Sequence, residues 1–123
     1  MKINIKTINL DLTPTFVQYI EEKIGSLSKF LKKYEIESEI QAQVEVARTT
    51  QHHHKGDVFK AEINLDLPGK ILRSVAERED ARMAINEAKD ELQREIKNIK
   101  GFLWILGSEE DEQNLSRKPS PST

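Results

Sequence analysis

The sequence predicts an α+β protein, a two-layer sandwich of order β-α-β-β-β-α whose four-stranded sheet carries two helices packed on one face. Three observations lead there. The stretches Glu39 to Arg48 and Val58 to Leu67 alternate apolar and polar residues, the period of strands with one buried face. The stretches beginning at Pro14 and Glu79 instead repeat apolar residues every three or four positions, the period of helices buried along one side. Three consecutive strands between two helices leave one sheet face covered and the other exposed.

Each element has its own justification. Residues 2 to 10 set Ile3 and Ile5 against Lys2, Asn4 and Lys6, a half-buried strand. Thr13 can cap free amides, and Pro14 suits the first helical position, where a missing N–H costs nothing. From there the apolar stripe Phe16, Val17, Ile20, Ile24, Leu27, Phe30 and Leu31 predicts a helix to about Lys33. In the next strand Ile40, Ala42, Val44 and Val46 share one face, and a polar loop follows over Thr49 to Asp57. Phe59, Ala61, Ile63, Leu65 and Leu67 line one face of the third strand. Pro68 and Gly69 supply a turn, and Ile71 to Ala76 returns as a short strand.

The last helix, Glu79 to Lys100, organises the rest. At about 100° per residue, Ala81, Ala84, Ile85, Ala88, Leu92, Ile96 and Ile99 fall in one arc roughly 120° wide. Arg82, Lys89, Gln93, Lys97 and Lys100 flank that arc on one side; Glu87, Glu91 and Glu95 flank it on the other. The charges are sorted rather than interspersed, and a line of cations along a helix suits a phosphate backbone. Lys23 stands inside the first helix's apolar stripe, where a charge must reach water or a partner. It is either a snorkelling lysine or a cation aimed into a groove between the helices.

Length and composition bound the possibilities. With 123 residues, 37% of them hydrophobic and 33% charged, the chain suits one small domain. The absence of cysteine excludes a disulfide scaffold and a cysteine-ligated zinc site. Met1 leads directly into a strand pattern, and the longest apolar run, Phe102 to Leu106, is far short of the roughly 20 residues of a membrane span, so a cytoplasmic protein is expected. The formal net charge is −2, but residues 106–123 hold two cations and four acids, leaving 17 of each sign in residues 1–105. A basic surface must therefore come from segregation rather than excess. The domain is expected over residues 1–106, with residues 107–123 an acidic, Ser/Pro-rich disordered tail. Phe102 to Leu106 either packs on the domain or extends the last helix, the rival reading being a patch that docks a partner or dimerises.

No catalytic constellation emerges, and no enzyme is expected. The sequence has no Gly-rich phosphate loop or nucleophile elbow, and its histidines are confined to His52, His53 and His54. Adjacent histidines in an extended loop point in different directions, so neither a metal nor another cofactor is predicted. That loop instead offers Lys55 and partly protonated imidazoles to something anionic.

Leu10 and Thr13 before the first helix, Lys23 within it, Lys55-Gly56-Asp57-Val58, Pro68-Gly69, and Asp80 with Ala84-Ile85-Asn86 and Leu92-Gln93-Arg94 together carry a resemblance. Over residues 1 to about 100 the chain resembles the ribosome hibernation promoting factor family, which includes ribosome-associated inhibitor A and bears the older label of sigma factor modulation protein. The resemblance implies binding to the small ribosomal subunit and its rRNA in the channel shared by mRNA and tRNA anticodon ends, inhibiting translation in stationary phase or stress. It implies no small-molecule substrate and no membrane, and a free monomer of the short form, without a second dimerising domain. The candidate RNA contacts are Lys23, Lys29, Lys55, Arg78, Arg82, Lys89, Lys97 and Lys100; Arg94 matches the family pattern but lies off the basic flank. Where this chain has Arg82 the family usually has tyrosine, so a guanidinium replaces a phenol. The alternative is a protein-interaction module that regulates another factor through its exposed sheet face.

Overall fold

The computed structural model describes residues 1–50 and 56–107, with side chains described up to residue 99 except those of Glu37 and Thr50. The elements are β1 (Lys2–Ile8), α1 (Pro14–Gly25), a 3-10 turn (Ser26–Phe30), α2 (Lys32–Glu37), β2 (Gln41–Thr50), β3 (Asp57–Leu67), β4 (Lys70–Arg78) and α3 (Ala81–Gly107). The sheet order is β1-β2-β3-β4. β1 runs parallel to β2, with Ile5 beside Val44, and α1 provides the crossover; the other two pairings are antiparallel. This is the predicted α+β sandwich, with α1 and α3 on one sheet face.

The core lies between those layers. Ala42, Val44, Val46, Ala61, Ile63 and Leu65 rise from the sheet to meet Ile20, Ile24 and Leu27 from the first helical segments and Ile85, Leu92 and Ile96 from α3, all but fully buried. The seam read from the sequence of α3 is the seam observed, Ala81 and Ile99 being partly buried at its ends. Ala84 and Ala88 present only a methyl group to the sheet, so α3 lies close enough for the buried Ser74 hydroxyl to donate to the Ala88 carbonyl at 2.8 Å. That bond satisfies a polar group that would be costly to bury alone.

Several boundaries differ from the sequence reading, for physical reasons. The strand β1 stops at Ile8 because Asn9 adopts a left-handed φ of 62°, which Asn tolerates better than most residues. The first helix ends at Gly25 rather than near Lys33. Glycine is a poor helix former, and the Ser26 hydroxyl donates to the Lys23 carbonyl at 2.6 Å, taking up an acceptor at the helix end. The chain then tightens into the 3-10 turn, and Leu31, at φ −121° and ψ 14°, separates it from α2. β2 and β3 pair as far as Thr50 with Asp57, shortening the expected loop; β4 begins at Lys70 and ends at Arg78. Gly69 has a φ of 77°, the positive value that the third position of a type II turn requires. α3 continues past Lys100 to Gly107, so its backbone carries the Phe102 to Leu106 stretch as helix. The expected tail from residue 108 onward lies outside the described residues. Among the described residues, no helix is long and apolar enough to cross a membrane.

On the open sheet face, Glu45 of β2 sits opposite Glu62 of β3. Lys6 of β1 pairs with Glu45 at 3.8 Å and Arg73 of β4 with Glu62 at 2.9 Å. The cations thus offset the two facing carboxylates.

Candidate nucleic-acid interface

The basic flank of α3 faces α1 and the 3-10 turn, and two aromatic rings organise the groove between them. The first is Tyr19. Thr13 starts α1, its Oγ1 accepting from the Phe16 amide at 3.2 Å, and Tyr19 and Lys23 follow one turn apart on one face. Across the groove, Asp80 Oδ1 accepts from the amides of Arg82 at 2.8 Å and Met83 at 3.1 Å, fixing the first turn of α3. The Tyr19 hydroxyl donates to the Arg82 carbonyl at 3.3 Å. The Arg82 guanidinium carbon lies 4.7 Å from the Tyr19 ring centre, and Lys23 Nζ 5.6 Å from it.

The second ring is Phe30, which ends the 3-10 turn. Lys29 from the same turn and Lys97 from α3 each place Nζ 5.3 Å from its centre. Arg82 and Lys97 are fifteen residues apart, about 22 Å along the helix. Lys89 lies between them, half-buried, its Nζ bonded to Asp90 Oδ1 at 3.2 Å and Gln93 Oε1 at 3.3 Å. Each cation–π contact stabilises by about 0.5–1 kcal/mol at an exposed site, so the rings orient these cations without neutralising them.

Within the groove, Lys23, Lys29, Arg82 and Lys97 form no ion pair among the described residues, while Lys89 pairs with Asp90; outside it, Lys6, Arg48, Arg73 and Arg78 each face a carboxylate. Arg78 departs from the sequence reading. It shares the inward parity of Leu72, Ser74 and Ala76 on β4, and so meets the acidic flank of α3 rather than the basic one. Its Nη1 bonds Glu87 Oε1 at 2.6 Å, and this hydrogen bond, together with the charge of Glu87, raises its pKa further. Arg78 therefore lies apart from the groove. The exposed Arg94 also stands outside it, on the outer ridge of α3 with Met83 and Asp90. Lys55 lies outside the described residues, as do His52 to His54, and for Lys100 only the helical backbone is described. Among the described residues, no group of three or more His, Cys, Asp or Glu side chains could hold a metal.

Glu95, on the acidic flank, has a raised pKa because partial burial disfavours its charge; Glu91 adds repulsion, and Lys70 partly opposes both. The folded state therefore keeps this proton to higher pH than the unfolded chain, and ionising Glu95 costs stability as pH rises. Glu95→Gln is expected to raise Tm slightly at pH 7, with the gain shrinking as pH falls through the ordinary carboxylate range, where the folded and unfolded states both take up the proton. Thermal melts across that range measure it.

Tyr19 and Phe30 are the groove residues that the sequence reading misses. The apolar stripe assigns Phe30 to the core and gives Tyr19 no part. The available signal was an aromatic residue one position after Lys29 and another four positions before Lys23.

The fold and this groove define a class: a small α+β domain that presents oriented, unneutralised cations on its helical side. The chain belongs to the Sigma 54 modulation protein / S30EA ribosomal protein family, whose profile matches residues 3–103. It is 25% identical over 100 residues to the ribosome hibernation promotion factor of Bacillus subtilis, covering 81% of this chain and 49% of that one. It is also 25% identical over 92 residues to the factor of the same name from Deinococcus radiodurans, covering 75% and 45%. The chain thus spans about half the length of these relatives. Among solved structures, the N-terminal domain of Thermus thermophilus Protein Y superposes with a TM-score of 0.67 at 28% identity, covering 80% of this chain and 99% of that domain. A ribosomal subunit interface protein from Coxiella burnetii shares the fold, with a TM-score of 0.62 at 16% identity over 82% of this chain and 99% of that one.

Proposed function

We propose that this domain is a ribosome hibernation factor. It binds the small ribosomal subunit through the groove between α1 and α3, blocks the channel used by mRNA and tRNA, and holds translation down in stationary phase or stress. One observation carries the reading: four cations without ion pairs among the described residues, oriented by two aromatic rings, line a single groove about 22 Å long. The relatives named for ribosome hibernation and for the subunit interface supply the biological setting. The mechanism is occupancy without bond chemistry. Cations held on packed helices neutralise rRNA phosphates and release counterions, fitting the shape of structured RNA more than its sequence. The protein acts in the cytoplasm, as a monomer when free and without a cofactor.

Gradient sedimentation with purified small subunits tests this. The protein is expected to co-migrate at about 50 mM monovalent salt and to be released progressively by about 300 mM, because affinity falls with the number of phosphates neutralised. Failure to co-migrate at the lower salt overturns the reading.

A further inference from the structure

We propose that Tyr19 is a positioning residue that makes Arg82 and Lys23, from two different helices, into one anion-binding unit. The inference rests on the ribosome-binding reading and names a residue through which that binding is built. Arg82 is exposed and has no acidic partner among the described residues, so on its own its long side chain would sample many directions. Two contacts restrict it. The Arg82 guanidinium carbon sits over the Tyr19 ring, 4.7 Å from its centre, and the guanidinium keeps N–H groups able to pair with phosphate oxygens. The Tyr19 hydroxyl, on the Arg82 carbonyl at 3.3 Å, ties the ring to the first turn of α3. That turn is itself fixed by Asp80.

Lys23 completes the unit. Its stem leaves α1 one turn beyond Tyr19, and its ammonium lies 5.6 Å from the same ring. A misfit in the apolar stripe of α1 thus has a physical account: the ring gives the charge an attractive surface at the edge of the core. Two cations that share one ring are pre-ordered before an anion arrives, which reduces the side-chain entropy lost on binding.

The test compares Tyr19→Phe, which keeps the π face, with Tyr19→Leu, which removes it, in the wild-type and the Lys23→Ala/Arg82→Ala backgrounds. Binding to purified small subunits is measured as a function of salt. Tyr19→Phe is expected to bind within about twofold of wild type, and Tyr19→Leu about fivefold more weakly, with the salt slope nearly unchanged because both charges remain. In the doubly substituted background, whose slope falls by about 2, Tyr19→Leu should cost less than about twofold further. A merely structural role would weaken binding equally in both backgrounds. That result, wild-type affinity for Tyr19→Leu, or a loss in Tyr19→Phe as large as in Tyr19→Leu, overturns the proposal alone. Wild-type protein that does not bind the subunit overturns the functional reading, and this proposal with it.

Discussion

Reversing Arg82, Lys89 and Lys97 to glutamate together is expected to weaken small-subunit binding on the order of 100-fold or more at about 100 mM salt. All three lie on the α1-facing flank of α3, and none belongs to the core. Every phosphate that goes unneutralised takes about one unit off the salt slope, so the remaining binding should show a slope smaller by roughly 3. Circular dichroism should report a retained fold with a lowered Tm, since Arg82 and Lys97 lose their ring contacts and Lys89, largely covered, loses its bonds to Asp90 and Gln93. The same reversal of Lys6, Arg73 and Arg78, whose partners are carboxylates, should leave subunit binding within about threefold. Equal weakening by both triples would mean that net charge, rather than the groove, governs binding.

Leu92→Ala should have the largest effect on stability, about 3 kcal/mol within a usual range of 2–5 kcal/mol. Leu92 is fully buried midway along α3, in the same core cluster as the fully buried Ile63 and Leu65 of the sheet. Rigid strands cannot collapse into the space left, so the forfeited transfer energy and the cavity both count. For a domain of this size that corresponds to a Tm lower by roughly 10–20 °C. Chemical denaturation checks it, with an unchanged m-value showing that the unfolded state is not the cause.

Much of this molecule could be read from its sequence, and the exceptions share a cause. The strands β2 and β3 alternate strictly, and the seam of α3 repeats at helical spacing, so local periodicity alone identifies their buried faces. The break at Gly25 was hidden because Leu27 and Leu31 stay buried whether the chain continues as α-helix or tightens into a 3-10 turn. The parallel pairing of β1 with β2 was hidden because a half-buried strand alternates in the same way beside any neighbour. The line of cations on α3 was legible as a helical wheel, but what holds it was not. Tyr19 meets Arg82, and Phe30 meets Lys97, only after the helices pack. Arg78 is placed away from the groove for the complementary reason. Close in sequence to the basic flank, it is carried by strand parity to Glu87 on the other side of α3.

The sorting of charge has a kinetic meaning as well. Residues 1–105 carry equal numbers of cations and acids, so at a distance they exert almost no net pull on a polyanion. With unpaired cations in the groove, Glu87, Glu91 and Glu95 on the opposite flank of α3 and ion pairs on the open sheet face, charges of opposite sign lie on the two flanks of that helix. If rRNA is the partner, as proposed, that separation of charge would experience a torque in its field and turn the groove toward the phosphates before contact, enriching encounters in the productive orientation. On the same reading, off-target nucleic acid would gain little, because the molecule lacks the bulk positive charge that would let it adhere in any pose.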